Sequence, residues 1–204
     1  RFPNIMQATV NKFFNCLHSK SKDVRRYSMI VISHLVLGDM LKLKGEVVDI
    51  CMLLEGDDEK LKELVNLFFH EINNKGNNVI YNIIPKALAK LSGEYKNLSY
   101  EQFQNIVKVL MKYVEKDKHT EGLVEKLFVK LRNSNDVIEW RNTTYCLSLL
   151  NYNNEKIATK FIEMYSEIKD KQDEDQKVKD NLIDIFAKFK KINAIRVNVK
   201  QMVE

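Results

Sequence analysis

The chain has 204 residues, of which 45% are hydrophobic and 30% are charged. With only two prolines and six glycines, this composition excludes a disordered chain, disfavours a β-sandwich and is typical of amphipathic helices. The 33 basic and 28 acidic residues give a formal net charge of +5, which permits binding to nucleic acid without indicating it.

Apolar residues recur at helical spacing along nearly the whole chain. Polar or glycine-containing breakers divide it into stretches of about 12 to 18 residues, an ordinary helix length. These breakers lie at residues 19–22, 56–58, 73–78, 92–97, 117–119, 133–136, 151–154 and 170–176. We therefore expect about ten helices in an all-α protein. Two of the predicted apolar faces comprise Val24, Tyr27, Met29, Ile30, Val31, Leu35 and Leu37, and Leu61, Leu64, Val65, Leu67, Phe68 and Ile72.

Five of the predicted helix starts recur at similar intervals. They fall near residues 23, 58, 100, 136 and 175, about 35 to 42 residues apart, close to the repeat length of HEAT and armadillo arrays. The sequence therefore predicts a HEAT/armadillo-type α-solenoid of about five helical hairpins, each stacked on its neighbours. The acidic residues at several starts are predicted to cap the helices that follow: Asp23, Asp58, Asp136 and Asp175.

Cys16, Cys51 and Cys146 lie far apart within apolar stretches, without the close pairing of a zinc site or redox motif. We expect them to be buried thiols in a reducing compartment. No run approaches the ~20 apolar residues of a membrane span, and the first residues lack a signal-peptide pattern. These features predict a soluble intracellular protein with no membrane partner. Because the chain begins at Arg1 rather than Met, we expect residues 1–204 to be one solenoid segment of a longer protein.

Residues 68–85 combine a helix end, a turn and a new helix start. The aromatic pair at 68–69 closes one apolar stretch, and Gly76 stands where a left-handed residue ends a helix. Either Asn77 or Asn78 is predicted to cap the next helix, and Pro85 inside that helix predicts a kink. The turn is also a polar surface loop that carries Lys75, so it has a second interpretation as a contact site.

The sequence offers no catalytic, cofactor or metal site. His70 and Glu71 resemble the start of a zinc-protease motif, but position 74, where that motif needs a second histidine, is Asn74. We therefore assign His70 a helix-packing or capping role. The other histidines are scattered, and neither a nucleophile motif nor a glycine-rich phosphate loop is present. The sequence predicts a protein that is not an enzyme and has no small-molecule substrate.

Basic residues recur through the first hairpins, and two interpretations stay open. They form either a solvated face balanced by neighbouring acids or a track of non-specific contacts to the phosphates of double-stranded DNA. These residues are Lys20, Lys22, Arg25, Arg26, Lys42, Lys44, Lys60 and Lys62. A later basic group has the same two interpretations: Lys188, Lys190, Lys191, Arg196 and Lys200.

Several segments, taken in order, resemble a known family. Residues 23–40 with Lys42-Leu43-Lys44-Gly45 look like the last HEAT block of condensin D2-type subunits, also called condensin complex subunit 1. The likeness continues through residues 68–71, 75–78, 81–82, 120–126, 140–141 and 145–150, and it is weakest after Asn151. Val79 departs from the family pattern, which commonly has proline at that place.

The resemblance implies a non-enzymatic scaffold in condensin, located in the nucleus and on chromosomes and in the cytoplasm for part of the cell cycle. Such subunits bind the kleisin chain, contact an SMC ATPase head and help to hold DNA during mitotic chromosome condensation. The residues implied to face the SMC head are Lys75, Gly76, Asn77, Asn78 and Tyr81. The alternative is an armadillo-type adaptor in transport or signalling that binds an extended peptide without DNA.

Overall fold

The structure, a computed structural model, describes residues 3–76, 78–95 and 97–192. Within these ranges all regular structure is helical, and eleven α-helices and one 3₁₀ turn follow one another. The helices are α1 (Pro3–Cys16), α2 (Lys22–Leu37), α3 (Val47–Met52, extended by the 3₁₀ turn Leu53–Glu55), α4 (Glu59–Asn74), α5 (Val79–Ser92), α6 (Tyr100–Met111), α7 (Asp117–Asn133), α8 (Val137–Leu149), α9 (Glu155–Tyr165), α10 (Lys171–Glu174) and α11 (Gln176–Phe189). The all-α, HEAT-type fold class is confirmed.

The five predicted repeat starts coincide with the starts of α2, α4, α6, α8 and α11. Asp58, Asp136 and Asp175 cap their helices as predicted, each accepting a hydrogen bond from a first-turn amide. Asp23 does not cap α2, because Ser21 precedes it and accepts from the Val24 amide. Ser99 and Gln102 form a reciprocal capping box at the start of α6.

The chain divides into two compact units, Arg1–Gln102 and Phe103–Glu204. In the first unit α2 and α4 lie side by side and run in the same direction. Arg26, near the start of α2, binds Asp58 at the start of α4, and Lys75, just after α4, binds the Leu37 carbonyl at the end of α2. Successive helices in one layer run parallel in this way in a stack of helical hairpins.

The second unit repeats this arrangement with α8 and α11. Arg141 of α8 binds Asp175 at the start of α11, and Lys188 of α11 donates to the Ser148 and Leu150 carbonyls at the end of α8. The core of this unit is an aromatic cluster with edge-to-face contacts, formed by Phe128, Tyr152, Phe161, Tyr165, Phe186 and Phe189.

The junction at residues 68–85 is largely as predicted. Gly76 has a φ of 71°, the left-handed conformation that glycine adopts without steric cost. Asn77 lies outside the described residues. Asn78 occupies the N-cap position, but the prediction that its side chain caps α5 is wrong, because its backbone is left-handed (φ 52°) rather than extended. Helix α5 is continuous with Pro85 inside it, and the kink there stays a prediction.

Two predictions about burial need correction. Cys51 and Cys146 are buried, and burial raises the pKa of the Cys146 thiol to about 12, but Cys16 is partly exposed. The two predicted apolar faces are not wholly buried, because Leu67 of α4 is 56% exposed and four residues of the α2 face are also exposed: Val24, Tyr27, Ile30 and Val31. Among the described helices none is both long and apolar enough to cross a bilayer.

Candidate partner-binding surface

The turn between α4 and α5 is joined to the loop that follows α2. Lys75 Nζ lies 2.7 Å from the Leu37 carbonyl oxygen and 2.7 Å from Asp39 Oδ1. Leu37 is the last residue of α2, and its carbonyl has no acceptor role within that helix, so the ammonium group acts as a C-terminal cap supplied by the neighbouring helix. The ammonium group of Lys75 is therefore engaged by contacts within the chain, and only 27% of the side chain is exposed.

The loop after α2 has a fixed conformation. Gly38 donates to the His34 carbonyl, while the amides of Met40 and Leu41 both donate to Leu35. Asp39 is left-handed with a φ of 56°, an uncommon conformation that aspartate tolerates better than most residues. The Lys75 contact and these backbone bonds hold the loop against the end of α2.

The other predicted contact residues lie beside this junction. Gly76 and Asn78 are exposed, whereas Tyr81, in the first turn of α5, is only partly so. A side chain added at Gly76 would meet no atom within 4 Å, so the backbone angle rather than crowding accounts for the glycine. The structure thus brings Lys75, Gly76, Asn78 and Tyr81 together at one end of the α4–α5 pair.

Half of the predicted DNA-contacting residues form contacts within the chain. Arg26 makes a two-pronged pair with Asp58, and the same hydrogen bonds lower the pKa of the Asp58 carboxyl. Arg25 donates to the carbonyls of Ser19 and Lys20. Two lysines form surface ion pairs, Lys22 with Asp57 and Lys62 with Glu59. These contacts favour the structural interpretation for all four.

The remaining four lysines do not form one track. Lys20, Lys42, Lys44 and Lys60 are exposed and, among the described residues, their side chains make no ion pair. Lys20 and Lys60 lie at the starts of α2 and α4, whereas Lys42 and Lys44 lie beyond the end of α2. The 16 residues of α2 separate the two pairs by about 24 Å. Any DNA contact through this set would therefore be made at two separate places.

The later basic group is also divided. Lys188 is engaged with the carbonyls at the end of α8, and burial lowers its pKa. Lys190 and Lys191 are exposed, whereas Arg196 and Lys200 lie outside the described residues.

His70 has no packing role. It is exposed on α4 and its ring lies 3.0 Å from the amide nitrogen of Asn74, one turn later. The residue that replaces the second histidine of a zinc motif is thus its hydrogen-bonding partner. In the described part of the chain, no three His, Cys, Asp or Glu side chains are grouped as a metal site would need.

A groove between α2 and α4, lined by both apolar and charged side chains, was not predicted from the sequence. Its walls include Tyr27 and Ile30 of α2 and Leu64 and Leu67 of α4, and its volume is about 570 Å³. The helical period alone could not reveal the groove. Tyr27 and Ile30 are exposed and Met29 and Ile32 are buried, yet both pairs are three residues apart, so the spacing does not distinguish them. The available signal in the sequence was the apolar face of α2, which is wider than the single stripe that a surface helix usually buries.

A buried carboxylate in the first unit was also missed. Asp49 of α3 accepts hydrogen bonds from Lys90 Nζ, at 2.7 Å, and from the Tyr95 hydroxyl, and His18 lies 3.3 Å away. Burial and the bond to Asp49 raise the pKa of Tyr95. These contacts connect the ends of α1 and α5 to α3, so we assign the cluster a structural role.

Comparison with known proteins identifies the family. A family model described as non-SMC mitotic condensation complex subunit 1 matches residues 1–148. Among curated relatives, the condensin-1 complex subunit CAP-D2 of Arabidopsis thaliana is 38% identical over 191 residues, which cover 94% of this chain and 13% of the relative. Condensin complex subunit 1 of Xenopus laevis is 38% identical, and that of Homo sapiens 37%, each over 150 residues that cover 74% of this chain and 11% of the relative.

The chain therefore spans far less than two thirds of the length of these relatives. The family match covers the whole first unit and continues to residue 148, one residue before the end of α8, so it includes the turn at Lys75 and Gly76 and the loop at Asp39. The chain belongs to the non-SMC mitotic condensation complex subunit 1 family.

Proposed function

We propose that this chain is a non-catalytic HEAT-type scaffold segment of the condensin complex, acting on chromosomes in the nucleus during mitotic condensation. The observation that carries the proposal is the family match over residues 1–148. The names of the relatives support it, since they describe condensin subunits. We further propose that the protein is cytoplasmic for part of the cell cycle and that residues 1–204 form one solenoid segment of a longer subunit.

The proposed partners are the kleisin chain and an SMC ATPase head, with the head docking at the turn that contains Lys75, Gly76, Asn78 and Tyr81. Two features support this position. The turn is exposed, and the Lys75 contact with the last carbonyl of α2 holds it in place. A loop that is exposed yet fixed loses little conformational entropy on binding.

A single substitution tests the SMC-head proposal. Gly76→Ala places a side chain at a φ of 71°, so we expect the turn to shift and the affinity for a purified SMC ATPase head to fall by about tenfold. The matched control is Gly56→Ala in the same unit, where φ is −75° and an added Cβ would make only an ordinary 3.5 Å contact. Titration calorimetry on both variants measures the difference. Equal affinities for the Gly76 and Gly56 variants would contradict the proposed docking position.

We propose in addition that the chain contacts double-stranded DNA non-specifically through Lys20 and Lys60, at the starts of α2 and α4. Because these are phosphate contacts, affinity should fall with salt, and removing both lysines should reduce the salt slope by about two units. The test compares Lys20→Gln/Lys60→Gln with Lys22→Gln/Lys62→Gln, whose lysines are already ion-paired. Binding to a duplex that is unchanged in both double variants would exclude this contact.

The family match favours the condensin role over the armadillo-type adaptor. A pull-down separates the two functions: we expect the 204-residue chain to capture a condensin kleisin segment or SMC head. Capture of extended basic peptides alone would favour the adaptor.

A further inference from the structure

We infer that the surface that meets the SMC head includes a second loop, residues 38–44, and that Lys75 is a positioning residue that holds this loop beside the Gly76 turn. The inference rests on the proposed function, because it names the partner of the same site. The contact that carries it joins Lys75 Nζ to Leu37 O and to Asp39 Oδ1, residues 36 and more positions away in sequence.

Lys75 is poorly placed to be the main contact itself. Its ammonium group already donates two hydrogen bonds within the chain, one to a carbonyl and one to a carboxylate. A partner carboxylate would have to compete with Asp39 for the same group, whereas Asp39 is 78% exposed and is held from one side only. The geometry therefore suits a lysine that fixes the Asp39 loop and leaves the outer side of that loop open.

The exposed side chains of the loop indicate which chemical groups the partner surface should carry. Met40 is 51% exposed, and a flexible thioether side chain adapts readily to an apolar pocket. Lys42 and Lys44 are exposed without an ion pair in the described residues, whereas Asp39 is neutralised by Lys75. Glu46 offsets part of this charge, since its carboxylate accepts from the Lys44 amide.

With Lys75 included, residues 39–46 carry three basic and two acidic side chains, a net positive surface around one exposed methionine. Charge complementarity calls for a partner surface with an apolar pocket and acidic groups at its edge. We assign Met40 to the pocket and Lys42 and Lys44 to the acidic edge of the SMC head.

The test measures binding of the 204-residue chain to a purified SMC ATPase head. Met40→Ala should weaken binding by about fivefold to tenfold, as expected of an apolar anchor. Its matched control, Val129→Ala, alters a similarly exposed apolar side chain in the second unit and should leave affinity unchanged.

The positioning role of Lys75 requires a double-mutant cycle. Asp39→Gly removes the carboxylate and keeps a residue that favours a φ of 56°, and Lys75→Ala removes the other partner. If Lys75 acts through the loop, each variant weakens binding by a similar factor and the double variant is no weaker than the more affected single variant. Asp39→Asn, which keeps an acceptor oxygen for Lys75, should restore most of the affinity that Asp39→Gly loses.

The outcomes separate the inference from the proposed function. If the parent chain binds the head and Met40→Ala and Asp39→Gly leave affinity unchanged, the two-loop surface is wrong and the docking proposal stands. Additive losses in the double variant would make Lys75 a direct contact instead. A parent chain that does not bind the head overturns the proposed docking and this inference together. Circular dichroism of each variant verifies that it is folded.

Discussion

In both units the same two kinds of contact hold a pair of parallel helices together. The exposed surfaces of these helix pairs differ between the units. In both units an arginine of one helix binds the capping aspartate of the next, Arg26 with Asp58 and Arg141 with Asp175. Each unit also has a lysine that returns from the end of the second helix to the last carbonyls of the first. The frame is therefore repeated although the sequences around it are not.

The surfaces differ because the first helix of each pair is covered to a different extent. In the second unit every residue of α8 from Thr143 to Ser148 is buried, and Lys188 binds carbonyls alone. In the first unit α2 leaves Tyr27 70% exposed, and Lys75 holds an exposed loop as well as a helix end. The comparison teaches that a frame repeated in both units fixes the backbone, while the side chains on its outer face determine whether a unit can dock a partner.

The largest expected effect concerns the aromatic core of the second unit. Phe161 is fully buried and contacts Phe128, with ring centroids 4.7 Å apart, and three other rings. Phe161→Ala should lower the free energy of unfolding by about 4 kcal/mol, because it removes a large side chain and leaves a cavity. Hydrogen exchange should show the loss of protection in residues 103–192. An equal loss in both units would mean that they do not unfold separately.

The next largest effect concerns how much an arginine–aspartate pair adds to the free energy of unfolding beyond the helix cap alone. Asp136 and Asp175 both cap a helix, but only Asp175 also binds an arginine. Asp136→Ala should cost about 1 kcal/mol and Asp175→Ala about 2 kcal/mol, measured by urea denaturation. Identical costs would show that Arg141 adds nothing to the cap.

Acid should weaken the frame in both units. The hydrogen bonds from Arg26 and Arg141 lower the pKa of Asp58 and of Asp175 below the ordinary value of 3.8. A lowered folded-state pKa means that the stabilisation is complete above that ordinary value and is lost as the pH falls through the folded-state pKa. Thermal denaturation between pH 6 and about pH 2 should therefore show a decline below pH 4. The loss of thermal stability below pH 4 should be smaller in Asp175→Ala. An equal loss in the parent chain and the variant would contradict the role assigned to Asp175.

The smallest effect is expected on the exposed face of α2. Tyr27→Ala should change the free energy of unfolding by no more than about 0.5 kcal/mol, because the ring is already in water. Ile183→Ala, on the exposed face of α11, is the control in the second unit. A cost above about 1.5 kcal/mol for Tyr27→Ala would show that the groove between α2 and α4 is part of the core.

Much of the frame could be read from the residues. Aspartates at regular intervals marked the starts of α4, α8 and α11, since a short acceptor side chain before an apolar helix is a local signal. Gly76 marked the end of α4 in the same way, through its left-handed backbone. The predicted caps failed at two residues. Asn78 has a left-handed backbone and its side chain does not cap α5, and at Asp23 the cap of α2 is supplied by Ser21 instead.

The candidate site could be located from sequence only as a segment. The polar turn at residues 75–78 was visible, but the partner of Lys75 was not, because Asp39 lies 36 residues earlier and on another helix pair. The same limitation applied to the eight basic residues. Arg26 and Lys44 look equivalent in a sequence, and only the position of α4 makes one a buried-carboxylate partner and the other a free surface charge.

The sequence by itself determined the helices, their repeat and the family, because helical period, capping residues and glycine turns act over a few residues. Tertiary structure decided which apolar residues face water and which cations are engaged. Those outcomes depend on helices that meet about 35 residues apart in the chain, as Arg26 meets Asp58 and Arg141 meets Asp175. The burial of a side chain and the charge around it are properties of that neighbourhood, and no local pattern encodes them.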